Sequence, residues 1–250
     1  MTLKDFKEMI NRTVFCAMGE RGYFFYGVLL KKLEGKLVMI ASSNSMMGFA
    51  IKDVENDFPD FDKAIVAPKV LQKIAKRKRD KSKVSISVSE KTINFNIGSS
   101  SISADLMFDF FPRISPNAEE FSKRFPTPYS FIAERLPLIE ALKMASAITT
   151  FTFVKVAFFL SPGTINLKIF DDEDIAEVEV PCNYSGEDID FQVDAKYLTE
   201  SLEHIDTENV NIRIDSNRKI AVIPEPEQDY HFLLAQILRN KNTNKEEKQT

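Results

Sequence analysis

The sequence predicts an α+β protein made of two tandem domains, each assembled from two strand–helix–strands repeats. Four amphipathic segments with helical spacing are separated by several short segments whose apolar residues alternate with period 2. The same order of elements recurs about every 60 residues. The four units begin near Leu3, Ile65, Phe131 and Phe191. The helices should therefore occupy equivalent places and line one face of the molecule, with the sheets on the other.

The first half of the chain opens with a helix predicted from Leu3 to Val14, because residues spaced i, i+3, i+4, i+7 share one face. These residues are Phe6, Met9, Ile10 and Thr13. Strands follow in YFFYGVLLKKLEGKLVMIASS, with a hairpin turn at Glu34-Gly35. A second helix begins near Pro68, a residue favoured at a first helical position. Its inward residues are Val70, Leu71, Ile74 and Ala75. The strands KVSISVSE, TINFNIG and SISADLMF complete this half.

The second half repeats this order of elements. A short strand at 131–133 precedes a helix from Leu138 to Ala147, with Pro137 in its first turn. Its inward residues are Leu138, Ala141, Leu142 and Ala145. Strands follow in FVKVAFFLSPGTINLKIFD and IAEVEVPCNYSG, and Asp194 is a predicted N-cap for the fourth helix. That helix carries Tyr197, Leu198, Leu202 and Ile205. The strands NVNIRID, KIAVIPE and YHFLLAQIL end the ordered part.

Composition is that of an ordinary globular protein, with 44% hydrophobic and 28% charged residues in a chain of 250. No apolar run is long enough to span a membrane, and the N-terminal segment does not resemble a signal peptide. The two cysteines, Cys16 and Cys182, lack the spacing of a metal site or a disulfide framework. We therefore expect reduced thiols and a cytoplasmic location.

Charge is distributed unevenly. The net charge is −4, yet the stretch from Lys69 to Lys83 contains eight basic residues and one acid, Asp80. The segment from Asp171 to Glu208 is mostly acidic. An acidic protein can still present a basic surface to phosphate.

Residues for catalysis are scarce. The two histidines, His204 and His231, both lie in apolar-patterned elements, and no Gly-rich phosphate loop, metal-ligand spacing or nucleophile elbow occurs. The run Asp171-Asp172-Glu173-Asp174 fits a solvated hairpin turn better than a metal site. We expect neither enzymatic activity nor a cofactor.

In order and spacing these segments resemble the bacterial DNA polymerase III beta subunit, the sliding clamp. The resemblance covers about residues 3–239 and matches the second and third domains of that family. LKDFKEMINRTVF, YFFYG and VLLKKLEGKLVMIAS are similar to the start of the second domain. APKVLQKIAKRKR and VSISVSEKTINFNIGSSSISADLMFDFFP are similar to its remainder. VDAKYLTESLEHIDTENVNIRIDS, KIAVIPE and DYHFLLAQIL are similar to the end of the third domain.

The resemblance implies a domain division and a non-enzymatic function. It implies two DNA-clamp-type domains, 1–125 and 126–239. The segment Ser115–Pro128 is the predicted linker, and the polar, charged tail at 240–250 is predicted to be disordered. The implied function is that of a processivity factor, a ring that encircles duplex DNA and tethers a polymerase. Rings of this family contain six domains, so a two-domain chain would need three copies.

The resemblance also implies which residues face DNA. The exposed faces of the four helices would contact phosphates without sequence preference. The predicted DNA-facing residues are Lys7, Arg12, Lys69, Lys73, Lys76, Arg77, Lys143 and Lys196. A solvated helix face is the competing interpretation, and Glu200 and Glu203 on the fourth helix favour it.

A partner-peptide groove between the two domains is the second implied site. Met and aromatic walls suit short apolar peptides, although some of these residues could simply belong to the core. The predicted groove residues are Phe25, Ser42, Ser45, Met46, Met47, Pro126, Asp194, Tyr197, Leu233, Leu234, Ala235, Gln236, Ile237 and Leu238. Two segments depart from the family pattern. Ser42–Met47 replaces Thr-Asp-Gly-His-Arg-Leu, and Ala235–Arg239 replaces Met-Pro-Met-Arg-Leu.

The implied partners are duplex DNA, a DNA polymerase and other clamp-binding peptides, a clamp loader, and further copies of the chain itself. Two other interpretations remain open at this point. One is a clamp-like protein that never encircles DNA and acts as an interaction module, decoy or regulator in replication. The other is a fragment of a longer clamp, because the family's first domain has no counterpart in this sequence.

Overall fold

The computed structural model describes residues 1–17, 27–55, 58–59, 61–78, 81–107, 129–147, 154–171, 174–215 and 219–237. We refer to residues 1–107 as the first half and residues 129–237 as the second half. The predicted linker at Ser115–Pro128, the boundary at 125/126 and the tail at 240–250 lie outside the described residues.

Four α-helices lie in the described part of the chain. They are α1 (Leu3–Thr13), α2 (Pro68–Ala75), α3 (Arg135–Ser146) and α4 (Ala195–Glu203), and a 3-10 helix, Val14–Ala17, follows α1. Each half therefore contains two helices, as the repeat predicts. In both halves the two helices pack on each other, and α1, α3 and α4 also pack against strands.

The first seven strands belong to the first half. They are β1 (Val28–Leu33), β2 (Lys36–Ser42), β3 (Met46–Asp53), β4 (Ala64–Val66), β5 (Val84–Val88), β6 (Thr92–Ile97) and β7 (Ser100–Asp105). The second half contains β8 (Tyr129–Glu134), β9 (Lys155–Ser161), β10 (Thr164–Asp171), β11 (Asp174–Asn183), β12 (Ile189–Asp194), β13 (Asn209–Ile214), β14 (Lys219–Glu225) and β15 (Tyr230–Ala235).

A single antiparallel sheet runs through both halves. Its strand order is β12-β9-β10-β11-β8-β13-β14-β15-β3-β2-β1-β4, and a separate sheet contains β5-β6-β7. The link between the halves is the pairing of β15 with β3. The two halves are therefore joined by backbone hydrogen bonds.

Local sequence accounts for where the helices start. Thr2 caps α1, because its hydroxyl accepts from the Asp5 amide while the Asp5 carboxylate accepts from the Thr2 amide. Pro68 begins α2, where its missing N–H costs nothing. Asp194 caps α4 by accepting a hydrogen bond from the Lys196 amide at 2.9 Å, as predicted.

The structure sets the helix boundaries, and some differ from the predicted ones. Helix α2 ends at Ala75, so Lys76 is its C-cap and Arg77 follows it. Helix α3 begins at Arg135, three residues before the predicted start, and α4 ends at Glu203, before the buried Ile205. Helix ends depend on capping and tertiary packing, which apolar spacing alone does not specify.

The main core lies between the helices and the sheets. Period-2 alternation sends Leu37, Met39 and Ala41 of β2 into this core, while Val38 and Ile40 join a smaller apolar cluster on the opposite sheet face. Each fully buried Leu-sized or Phe-sized side chain contributes about 1.5–3 kcal/mol. The alternation therefore fixes which face of each strand the helices cover.

The strand β3 lies unusually close to α1. A Cβ on Gly48 would come within 2.7 Å of Cys16 Sγ and 3.0 Å of the Arg12 carbonyl oxygen. Glycine at this position lets the end of α1 pack directly on the strand. This packing brings Arg12 to the junction between the two halves.

Three further observations concern membrane spans, thiols and metal-binding groups. Within the described ranges, none of the helices has the length and apolar character needed to cross a membrane. Cys16 is buried and Cys182 is partly buried, and both are free thiols. In the part of the chain that the structure describes, no group of three or more His, Cys, Asp or Glu residues could hold a metal ion.

Candidate functional site

The junction between the halves supports a small groove. Strand β15 pairs with β3 in antiparallel register, with Tyr230 opposite Ala50 and Leu234 opposite Met46. Beyond the paired residues, the Ala235 amide donates to the Ser45 carbonyl at 2.9 Å. The end of β15 is thus fixed between the β2–β3 turn of the first half and the start of α4.

The groove at this position has a volume of about 170 Å³. Ser45 comes from the first half, and the other lining residues come from the second. The lining residues are Ser45, Val193, Asp194, Tyr197, Leu234, Ala235, Gln236 and Ile237. Seven of these eight residues are in the predicted groove set, and Val193 is the addition.

Two short hydrogen-bonded segments shape the groove. The Ile237 amide donates to the Gln192 carbonyl at 2.8 Å, which holds the segment after β15 beside β12. The Ser43 amide donates to the Met46 carbonyl at 2.9 Å, which closes the turn that presents Ser45. Because both walls are held by backbone bonds, the cleft is largely pre-formed, as small binding sites usually are.

The groove combines apolar walls with one carboxylate. Leu234 is buried and Tyr197 is half-buried, so each offers apolar surface to an incoming side chain. Burial raises the pKa of Asp194, against the lowering effect of the Lys196 backbone amide that it accepts from. The arrangement can bury a few apolar side chains and offers Asp194 and Ser45 as polar contacts.

The remaining predicted groove residues lie elsewhere or are not described. Ser42 and Met46 are buried and do not line the groove, and Ser42 lies opposite Met47 in the β2–β3 pair. Met47 and Leu233 face each other across the β3–β15 pair, on the sheet face opposite Met46 and Leu234. Phe25, Pro126 and Leu238 lie outside the described residues.

Strand alternation explains this difference. The sequence prediction assigned neighbouring residues of two segments to the groove, but adjacent strand residues point to opposite faces of a sheet. Val193 was missed, although its position directly before the N-cap Asp194, on a strand with alternating burial, could have identified it.

Helix α2 and its C-terminal extension carry the most exposed basic surface among the predicted DNA-facing residues. Lys69, Lys73 and Lys76 are exposed, and Arg77 is partly exposed. Leu71 and Ile74 are fully buried on the other side of α2. The exposed basic side chains of this cluster are not part of the core, so they can contact phosphate without disturbing the fold.

Arg12 has a structural role that the sequence did not reveal. Its Nη2 donates to Asp206 Oδ2 at 3.0 Å, and its guanidinium lies 3.7 Å from the centre of the Tyr230 ring. The Tyr230 hydroxyl donates to Asp206 Oδ1 at 2.8 Å. Arg12 thus ties α1 of the first half to two residues of the second, and its side chain is only 15% exposed.

The pKa values at this tie follow from its geometry. Burial works against ionisation of Asp206, but the Tyr230 hydroxyl and the Arg12 guanidinium outweigh it and hold its pKa below the ordinary value. Burial and the hydrogen bond to Asp206 raise the pKa of Tyr230 to about 12. The network therefore contains an ionised Asp206 and a protonated Tyr230 at neutral pH.

The helices of the second half present a weaker basic face than α2 does. Lys143 Nζ lies 2.6 Å from Glu203 Oε1, so its charge is compensated within the protein. Lys196 is exposed, whereas Lys7 on α1 is half-buried. Exposed Leu136 and Met144 on α3 add apolar surface. The predicted fourfold basic surface is therefore concentrated on one half.

Sequence comparison identifies a family relationship for the second half. Residues 127–236 match the family model of the DNA polymerase III beta subunit, C-terminal domain. Nearly all of the chain resembles the DNA polymerase III beta subunit, the beta sliding clamp.

Relatives of this type match nearly all of the chain. The beta sliding clamp of Treponema pallidum is 23% identical over 92% of this chain and 63% of its own length. That of Pseudomonas aeruginosa is 22% identical over 89% of this chain and 60% of its own length. The chain thus spans less than two thirds of the clamps it matches.

Solved clamp structures have the same fold. The DNA polymerase III subunit beta of P. aeruginosa superposes with a TM-score of 0.85 at 21% identity, over 96% of this chain and 65% of that one. A Caulobacter crescentus pol III beta structure gives a TM-score of 0.82 at 17% identity, over 96% of this chain and 65% of that one. The predicted clamp-type fold is confirmed.

Proposed function

We propose that this protein is a non-enzymatic sliding clamp, a processivity factor that encircles duplex DNA and tethers a polymerase through the groove at Tyr197 and Leu234. We divide it into clamp-like domains 1–125 and 126–239 and a tail, 240–250. The observation that carries the proposal is the repeated clamp fold, in which one continuous sheet joins two equivalent halves.

The groove supports the tethering part of the proposal. A P. aeruginosa sliding clamp with a TM-score of 0.84 to this chain was solved bound to griselimycin, so a clamp of this fold binds a ligand. Here the cleft could bury two or three apolar side chains, each contributing roughly 1.5–3 kcal/mol. After the free-energy cost of ordering the peptide is subtracted, we expect a dissociation constant in the micromolar range at best.

Peptide titration tests this part directly. A short apolar clamp-binding peptide should bind saturably to the unaltered protein, and Tyr197→Ala and Leu234→Ala should each weaken binding at least tenfold. Leu233→Ala is the matched control, because Leu233 lies on the opposite sheet face and should leave affinity unchanged. Absence of saturable binding would refute tethering. Binding that responds only to Leu233→Ala would refute the placement of the groove.

Encirclement of DNA needs further copies of the chain. Three copies with two domains each would give six clamp-type domains around a central channel, and weak phosphate contacts would then suffice for sliding. The exposed lysines of α2 are the contacts we assign to this channel. A clamp loader would be required where the ring does not open by itself.

One set of contacts favours a second candidate, a clamp-like interaction protein that does not encircle DNA. Lys143 is compensated by Glu203, Arg12 is engaged at the junction, and Leu136 and Met144 are exposed. Solution mass at micromolar concentration separates the two functions. About three times 28.5 kDa supports the ring, whereas a monomer supports the interaction protein.

A further inference from the structure

A cleft on the helical side of the protein, separate from the peptide groove, has the composition of a nucleobase site. It lies between α1, the 3-10 helix after it, α2 and the C-terminal end of α4, and its volume is about 430 Å³. We propose that this cleft binds the base of an unpaired nucleotide in a single-stranded nucleic acid. The lining residues are Ile10, Asn11, Val14, Phe15, Gln72, Ala75, Lys76 and His204.

The floor of the cleft is apolar. Ile10 and Val14 are 1% and 3% exposed, and Ala75 of α2 is half-buried beside them. Helices α1 and α2 pack on each other, so the two sides of the floor are held together by the fold. The volume lies within the range of about 300–1,000 Å³ that small-molecule sites occupy. A flat ring system can therefore leave water here.

Two stacked rings form another wall. The ring centroids of Phe15 and His204 are 3.8 Å apart, and the ring planes differ by only 13°. Both side chains are half-buried, so part of each remains accessible from the cleft. Proteins hold unpaired bases by stacking them on aromatic side chains, and any base can stack because every base has a π face. A base in the cleft would extend this stack.

Polar groups on the walls can pair with the edge of a base. The Nδ1 of His204 lies 2.8 Å from the Glu200 carbonyl oxygen, and because a carbonyl only accepts, Nδ1 carries the proton. In the neutral ring Nε2 is then an acceptor for a base amino or imino group. Asn11 and Gln72 add amide groups, which both donate and accept. Unpaired bases are recognised through such hydrogen bonds to their edges.

Positive charge on the rim indicates where the phosphates lie. Lys76 lines the cleft, and Lys73 and Lys69 continue from it along the exposed side of α2. Within the described ranges none of these three lysines forms an ion pair, whereas Lys143 does. The three positions are about one turn apart and cover about 10 Å of helix axis. This stripe can follow the backbone of a strand whose base enters the cleft.

Negative charge on the opposite side sets the direction of the nucleotide. Burial, and after it the carboxylate of Glu200, raise the pKa of the Cys16 thiol. Cys16 directly follows Phe15, so an anionic group lies near the aromatic wall. Phosphate is repelled from that side and attracted to α2. The base therefore points toward Phe15 and His204, and its phosphate lies toward Lys76.

The site is distinct from the duplex contact assigned to α2. Phosphates of a duplex can reach the lysines, but bases that are paired and stacked in a duplex cannot enter the cleft. The site requires neither closure of a ring nor the peptide groove. Its failure would leave retention on circular DNA and peptide binding unaffected, and failure of either of those would leave this site intact.

Two strands of equal charge test whether a base is bound. Oligothymidylate of twelve nucleotides and an abasic strand of the same length carry the same phosphates, so electrostatic attraction is matched at fixed salt. Fluorescence anisotropy should show at least about fivefold tighter binding of oligothymidylate, the effect of one stacked base. Equal affinities would overturn the proposal. Thymidine monophosphate should bind at least tenfold more weakly than oligothymidylate, and equal binding of the two would refute a strand as the ligand.

Substitutions at His204 test where the base lies. His204→Leu removes the ring and should abolish most of the preference for oligothymidylate over the abasic strand, whereas His204→Phe keeps a ring and should retain it. Lys69→Gln is the control and should weaken both strands by the same factor. The preference is a ratio measured on one protein sample, so partial unfolding of a variant does not change it. Equal preferences in the two His204 variants would overturn the assignment.

Photocross-linking tests the unaltered protein. An oligonucleotide that contains 5-iododeoxyuridine should, on irradiation, become attached to Phe15 or His204, as identified by fragmentation mass spectrometry. Attachment confined to Tyr197 would place the base in the peptide groove and overturn the proposal. Displacement of oligothymidylate by a short apolar clamp-binding peptide would overturn it as well.

Discussion

Replacement of Arg12 by Met should destabilise the protein by weakening the tie between its two halves. Methionine retains most of the apolar stem but removes the guanidinium that bonds Asp206 and lies over Tyr230. The ion pair contributes only about 0.2–1 kcal/mol, because the Asp206 side chain is 63% exposed. The cation–π contact of a largely buried guanidinium adds about 1–2 kcal/mol. We expect a total loss of about 1–3 kcal/mol.

Urea unfolding monitored by circular dichroism measures this loss. The matched control is Lys4→Met, the same charge change on the same helix, at a side chain that is 73% exposed and 4.0 Å from Glu8. This control substitution should lower the free energy of unfolding by less than about 0.5 kcal/mol. Tyr230→Phe keeps the ring and removes the hydroxyl. Combining it with Arg12→Met in a double variant measures the coupling energy between Arg12 and Tyr230.

Two results would refute the reasoning. Unchanged unfolding in Arg12→Met would show that the tie contributes nothing. A normal stability together with a DNA salt slope reduced by about 0.9 would show that Arg12 contacts phosphate instead, as the sequence predicted.

Two further predictions concern pH and DNA. Burial lowers the pKa of His231 to about 4. As pH drops, His231 is therefore protonated in the unfolded chain before it is protonated in the folded one. The free energy of unfolding should fall by on the order of 2–3 kcal/mol as pH drops from about 6.5 through 4. Acid titration of unfolding checks this, and His231→Phe should flatten the curve. Joint replacement of Lys73 and Lys76 by Gln should lower the salt slope of duplex binding by up to about 1.8. Lys143→Gln should change it little because Glu203 already compensates Lys143, and equal slopes for both variants would contradict the assignment.

The sequence predicted much of the fold because its period-2 and helical patterns agree with the core. The inward residues Phe6, Met9, Ile10 and Thr13 of α1 are all buried, and the turn at Glu34-Gly35 closes the β1–β2 hairpin. Such local patterns depend on neighbours in sequence. The pairing of β15 with β3 depends on residues some 180 positions apart, and the resemblance suggested it only through the groove.

The candidate sites were predictable to different degrees. Seven groove residues were found because the resemblance marked two segments together with Asp194 and Tyr197, but it could not tell which residues of β3 and β15 face the cleft. Arg12 was predicted to face DNA from its position on the helix, which contains no sign of Asp206, 194 positions away, the residue that accepts its hydrogen bond. Exposure on a helical wheel does not reveal a partner from another part of the fold.

The central claim is that copies of this chain close around DNA, and topological retention tests it most directly. Protein mixed with nicked circular DNA would be fixed with an amine-reactive cross-linker and washed with high salt, which removes phosphate-bound protein. We predict that protein remains on the circle and is released when a restriction enzyme linearises it. Equal retention on circular and linear DNA, or loss from both, would contradict it.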